Sequence, residues 1–177
     1  MRKNKARIQF LTTSAIAAAL LSLLCPFVLP IGTLGITLAT MVLLLCAMTL
    51  RPSVAITATA LYLALGAIGL PVFSHFTGGF AAFTSPSGGF LVGYLPFVSI
   101  VALITSRVRG LFARIASLFA AHLVLYLIGS AVFAAVSHTS LGEAVALSVL
   151  PFLLPDAIKA AIGLYLATVI SRRIPRL

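Results

Sequence analysis

The chain falls into six successive apolar blocks, each long enough to supply the ~20 residues that a helix needs to cross a hydrocarbon layer. They run from Ile8 to Cys25, Ile31 to Leu50, Ser53 to Leu70, Gly88 to Ser106, Leu111 to Val136 and Leu141 to Ser171. The second opens on Gly32, Thr33, Gly35 and Thr37, a start rich in glycine and threonine. A water-soluble fold is excluded, because 62% of the 177 residues are hydrophobic and 8% charged, whereas a soluble domain is about half apolar and about a quarter charged. The expected fold is all-α and integral to the membrane: six transmembrane helices in one domain covering residues 1–177.

Twelve Lys and Arg against two acids give a net charge of +10. A nucleic-acid partner would need those cations gathered on one solvent-facing surface, and they are arranged otherwise. Arg2, Lys3, Lys5 and Arg7 precede the first block, and Arg51 separates the second from the third. Arg107, Arg109 and Arg114 surround the connection between the fourth and fifth, and Arg172, Arg173 and Arg176 follow the sixth. The remaining connections, Pro26 to Leu34, Pro71 to Ser87 and Ser137 to Gly142, carry no Lys or Arg. Basic loops stay on the cytoplasmic side, so this alternation predicts an even number of crossings with both termini inside.

The basic start followed by an apolar run could be a secretory signal peptide; the five blocks that follow favour a retained first helix. Cys25 lies near the outer end of the first block and Cys46 well inside the second. Two separate buried thiols are expected, with neither a disulfide nor a metal site.

One of the two acids, Asp156, stands three residues before Lys159, the one basic residue outside the cytoplasmic connections. Ionisable side chains at membrane depth cost several kcal/mol and mark functional pathways. Spacing i, i+3 puts both on one helix face, about 4.5 Å apart along the axis. Pro151 and Pro155 interrupt the sixth block, so the continuous final helix is expected to begin at Pro155 or Asp156, with the carboxylate in the first turn, where the helix dipole favours it. From there to Ser171 is about 22 Å, which puts the pair in the outer leaflet of a ~30 Å layer. The bland alternative is a helix cap that binds nothing.

The connection GLPVFSHFTGGFAAFTSPSGGF, Gly69 to Phe90, is long for a compact membrane protein. Its glycines permit tight turns, Pro71 and Pro86 stiffen it, and it has no charge. Phe73, Phe76, Phe80 and Phe83 offer apolar surface; Ser74, Thr77, Thr84, Ser85 and Ser87 offer hydroxyls. Such a loop suits a lid over a small, largely uncharged ligand; its simpler reading is a hairpin resting in the headgroup region. His75 as a lone imidazole reads more simply as surface. His122 and His138 have no acidic or cysteine partner at metal-ligand spacing, so no metal is expected. Ala15 and Ala19 form a small-xxx-small pair, which permits close helix approach within the chain or to a partner.

Two segments resemble the BioY family, the biotin-binding S components of energy-coupling-factor importers. GAIGLPVFSHFTGGFAAFTSPSGGFLVG, Gly66 to Gly93, is similar to the family's Gly-Leu-Pro-Val-Phe run followed by Gly-Gly and a Gly-Pro-Thr-Gly-Gly-Tyr-like element. PFLLPDAIKA, Pro151 to Ala160, resembles its Pro-Phe and Asp-x-x-Lys signature. The likeness covers most of the chain after Ala60, with a weaker match from Pro30 to Thr40. Ser85-Pro86-Ser87 replaces Gly-Pro-Thr, and Ala39 follows Ile36-Thr37-Leu38 where a polar residue is usual. The resemblance implies a membrane substrate-binding subunit in a bacterial plasma membrane. Asp156 and Lys159 would contact biotin, with Phe73, Ser74, His75, Gly78, Gly79, Ser87, Gly88 and Tyr94 as further ligand-binding candidates. The Pro71 to Gly89 loop would close over the ligand, and Ala15 and Ala19 would dock a transmembrane coupling subunit that works with two ATPase subunits. Biotin would be cargo, and no cofactor is expected.

No GxxxxGK[ST] phosphate loop occurs, and two acids leave little provision for proton carriers, so uphill import would need those partners. Two rivals are open at this stage. One is an S component for another small vitamin; the other is a six-span intramembrane serine hydrolase using Ser87 with His122 or His138.

Overall fold

A computed structural model describes residues 2–31, 34–108 and 110–173. Arg109, Arg176, Gly32 and Thr33, all used above, lie outside the described residues. The elements in chain order are helix α1 (Arg2–Leu24), strands β1 (Val28–Ile31) and β2 (Leu34–Thr37), then helices α2 (Ala39–Thr49), α3 (Pro52–Ala67), α4 (Gly88–Arg107), α5 (Leu111–Ser137), α6 (Leu141–Ser148) and α7 (Leu150–Arg173).

Four helices are long and apolar enough to cross a membrane, over Asn4–Leu24, Gly88–Arg107, Leu111–Ser137 and Leu150–Ser171. The second block departs from the expected span. Its start pairs with the residues before it as an antiparallel ribbon, Val28 opposite Thr37 and Leu29 opposite Ile36. What remains is an 11-residue helix, about 16 Å long and half of a hydrocarbon layer. Pro30 is tolerated because a two-stranded ribbon has only edges. α2 is nonetheless central: eight of its residues, from Ala39 to Met48, are buried, and it packs on α1, α3, α4 and α7. A helix apolar all round belongs inside a bundle, where its neighbours shield it from lipid.

The third block folds as α3, opened by Pro52 just inside the helix after Arg51. The sixth block breaks in two at Val149 (φ −121°, ψ −54°). Its second part starts at Leu150, not at Pro155 or Asp156, so the first-turn position expected for Asp156 is wrong. Pro151 sits where the amide has no intrahelical partner, and Pro155 costs the helix only the bond to the Pro151 carbonyl. Asp156 is thereby in the second turn. α6 is fixed at its start by a capping box: the Ser140 hydroxyl accepts from the Glu143 amide while the Glu143 carboxylate accepts from the Ser140 amide.

Cys25 and Cys46 are both buried free thiols. α1 packs mainly on α3 through a face holding Ser14, Ala17, Ala18 and Leu21. Ala15 and Ala19 lie on the opposite, exposed face.

Candidate functional site

At one end of the bundle the loop between α3 and α4 roofs a cavity of about 810 Å³, within the range of small-molecule sites. α7 contributes Phe152, Asp156 and Lys159, β2 Thr37 and α2 Thr40. α4 adds Leu91 and Tyr94, α5 Leu125 and Tyr126, and α6 Ser148. The ribbon that replaces part of the second span is thus what carries Thr37 to the site.

Asp156 and Lys159 are 6% and 8% exposed, and their charged atoms meet at 2.5 Å. Taking two charges out of water costs several kcal/mol, which their attraction offsets only when the remaining lone pairs and protons are also used. Here they are. The Tyr126 hydroxyl donates to Asp156 Oδ2 at 2.7 Å, the Thr40 hydroxyl donates to Oδ1 at 3.5 Å, and Lys159 Nζ donates to the Thr37 carbonyl at 2.9 Å. Among the described residues one lone pair of Oδ2 and one Nζ proton have no partner, which gives the site an acceptor and a donor side by side.

The loop is held by Phe73, which is buried between Tyr62 and Phe83 in edge-on contacts at 5.6 and 5.5 Å. The Phe73 ring also fills the notch left by Gly66, where a Cβ would overlap it. Beyond it the Phe73 amide donates to the Thr77 carbonyl at 2.9 Å. His75 and Phe76 between them take left-handed φ of 58° and 57°. The His75 amide donates to the Pro26 carbonyl at 3.0 Å, and the Phe76 ring stands edge-on to Phe27 at 5.5 Å. The loop is thereby tied to the connection after α1.

Of the candidates named from sequence, Asp156, Lys159, Phe73, Ser74, His75, Gly78, Ser87 and Tyr94 all line the cavity. Gly79 and Gly88 do not. The Gly79 amide donates to the Gly66 carbonyl at 2.7 Å, which ties the loop to α3, and Gly88 is pressed against the Phe83 carbonyl where a Cβ would collide. Phe76 and Phe80, expected to cover a ligand, are 58% and 72% exposed and turn away from it. Thr77 and Ser85 line the cavity, whereas the Thr84 hydroxyl donates to the Ala81 carbonyl at 3.1 Å. Missed from sequence were Tyr126, Thr40 and the Thr37 carbonyl, the three groups that complete the ion pair. Tyr126 had one signal, a phenol inside the apolar run of α5.

The hydrolase constellation does not assemble. The Ser87 hydroxyl shares a hydrogen bond with Ser85 at 3.1 Å. His122 Nδ1 bonds the Leu118 carbonyl at 2.9 Å, its ring edge-on to Phe97 at 5.0 Å. His138 caps α5 in a left-handed conformation. Among the described residues no group of three or more His, Cys, Asp or Glu could hold a metal.

On α2, α4 and α5 the cavity residues lie to one side along the helix and a basic residue to the other. On α4, Leu91 and Tyr94 precede Arg107; on α5, Tyr126 follows Arg114; α2 runs from Thr40 toward Arg51. At that far end, Arg114 Nη1 donates to the Thr168 hydroxyl at 2.7 Å, joining α5 to α7.

The BioY family's model matches residues 1–176. A probable biotin transporter BioY of Pyrococcus horikoshii is 33% identical, over 86% of this chain and 90% of its own length. A probable biotin transporter BioY of Bacillus subtilis is 34% identical over 87% and 84%, and biotin transporter BioY2 of Lactococcus lactis 32% over 87% and 85%. The fold matches a crystal structure of the S-component for biotin from an ECF-type ABC transporter with a TM-score of 0.84, at 24% identity, covering 96% of this chain and 94% of that one.

Proposed function

The chain belongs to the BioY family, and from that premise we propose that it is the biotin-binding membrane subunit, the S component, of an ATP-driven energy-coupling-factor importer. It is a multi-pass membrane protein and a substrate-binding subunit, not an enzyme. The observation that carries the reading is the buried Asp156–Lys159 pair, completed by Tyr126 and Thr37 and facing a small-molecule cavity.

Biotin's urea group donates through its N–H groups and accepts through its oxygen. The free lone pair of Asp156 accepts from a urea N–H, and the remaining Lys159 proton goes to the urea oxygen. A bicycle set into that corner brings its apolar edge against Phe73, Leu91 and Leu125, and burying apolar area contributes about 25 cal/mol per Å². The polar pair fixes orientation; the walls supply affinity.

Cavity and cations to opposite sides along α2, α4 and α5 support binding from the outer side, with both termini in the cytoplasm and six crossings. The second crossing is the ribbon with α2, and the sixth is α6 with α7. Partners are a transmembrane coupling subunit and two ATPases, in a bacterial plasma membrane. The exposed Ala15 and Ala19 face of α1 is where the coupling subunit docks. Biotin is cargo, and the reading assigns the chain no cofactor.

The test is equilibrium binding of biotin to the detergent-purified chain, with thiamine, riboflavin and desthiobiotin as competitors. Biotin binds saturably and outcompetes the other vitamins. No heat from a monodisperse sample refutes the proposal, and saturable binding of thiamine or riboflavin instead makes the chain an S component for that vitamin.

A further inference from the structure

The polar corner of the cavity is electrically balanced. Asp156 and Lys159 neutralise one another at 2.5 Å, and Lys159 also donates to the Thr37 carbonyl. Biotin, the ligand of the reading above on which this inference rests, ends in an alkyl carboxylate, which brings one uncompensated negative charge. Burying an unpaired charge is costly, so the tail needs a cation or a position facing water.

Five described lining residues carry an acidic or basic group: Tyr94 on α4, Tyr126 on α5, Asp156 and Lys159 on α7, and His75 in the loop. A phenol carries no positive charge in either state, and the Tyr126 proton is already donated to Asp156. On the side where the loop meets the end of α1, Cys25 is a buried thiol and brings no charge. Glu143 on α6 is held by Ser140 and is not among the lining residues. Besides Lys159, His75 is the described lining residue able to become a cation.

His75 is also placed for it. Its φ of 58° and that of Phe76, 57°, lie in a region that non-glycine residues occupy at a cost and that recurs where side chains are positioned for function. The conformation is kept by the His75 amide's bond to the Pro26 carbonyl and by the Phe27–Phe76 contact. Its exposed imidazole, with no hydrogen bond among the described residues, stands where water reaches the cavity.

We propose that His75 is a specificity-determining residue that reads the carboxylate tail of the ligand, its imidazolium supplying the counter-charge to the acid. Binding of the acid therefore strengthens as pH falls through the range where an imidazole gains its proton. Binding of an uncharged analogue does not.

Equilibrium titrations of the full-length chain with biotin and with its primary amide, at about pH 5.5 and about pH 8, test this. An alkyl carboxylic acid with an ordinary value of about 4.3 is ionised at both. Any titration of the urea-binding corner affects both ligands alike, so the amide removes it from the comparison. The expected result is an acid that binds about three- to tenfold tighter at the lower pH, with the amide unchanged. His75→Asn, neutral and tolerant of left-handed φ, should lose both the pH effect and the preference for acid over amide. His75→Lys should keep the preference and lose the pH effect. Acid preference and pH dependence that survive in His75→Asn overturn the proposal. A pH-independent preference in the unaltered chain overturns it too, leaving the biotin reading intact. Neither ligand binding at any pH removes both.

Discussion

Breaking the Asp156–Lys159 pair one partner at a time should cost more than breaking both. At 2.5 Å two unit charges attract by about 7 kcal/mol at an effective dielectric of ~20, before desolvation is subtracted. Lys159→Met leaves Asp156 buried with the Tyr126 and Thr40 hydroxyls as donors, and an uncompensated buried charge costs about 3–5 kcal/mol. Asp156→Asn leaves Lys159 with only the Thr37 carbonyl, at a similar cost. The double variant removes both charges and fills the space with an amide and an apolar chain, which should recover about 2–4 kcal/mol of the summed losses. Thermal unfolding in detergent, followed by near-UV dichroism, reads the four proteins. Each single variant should melt at least several degrees below the parent, and the double variant should melt above the sum of the two shifts. Additivity within about 0.5 kcal/mol would mean that the two residues do not act as a pair. Biotin titration on the same samples separates the functions, because the double variant regains stability but not affinity.

Tyr126→Phe removes a charge-assisted hydrogen bond from Asp156 and should weaken biotin binding by about tenfold or more, with a smaller loss in melting temperature, read by calorimetry and thermal scanning. Gly66→Ala places a methyl group against the Phe73 ring; overpacking of about 1–3 kcal/mol should free the loop, speeding biotin dissociation more than it changes association. Ser140→Ala deletes the cap of α6 and should cost about 1 kcal/mol of stability.

The Asp156–Lys159 ion pair was legible in sequence because charge is rare in this chain, so two opposite charges three residues apart stand out without any fold. The same holds for the loop, whose length and glycines mark it, and for the alternation of Arg and Lys between connections. Less was legible where one pattern serves two structures. A run such as Val28 to Thr37, uncharged and interrupted only by Pro, Gly and Thr, fits the start of a spanning helix and a ribbon alike, and only the pairing of Val28 with Thr37 decides it. Pro155 reads as a helix start, yet early in a helix it costs little, so α7 begins at Leu150. Tyr126 is 30 residues from the carboxylate it serves, and the Thr37 group that binds Lys159 is a backbone carbonyl, which no side-chain pattern announces. Gly79 and Gly88 were named as ligand contacts from the family resemblance; in the structure the Gly79 amide donates to the Gly66 carbonyl of α3 and Gly88 lies against the Phe83 carbonyl.

The cancelling charges of Asp156 and Lys159 also decide how the site answers the membrane potential. A whole elementary charge crossing that field is worth about 2.3 kcal/mol per 100 mV. An acid and a base on one helix, in contact, contribute almost nothing to that work wherever they sit along the bilayer normal. Voltage therefore acts hardly at all on the pair itself, and on a loaded site through whatever charge the guest carries.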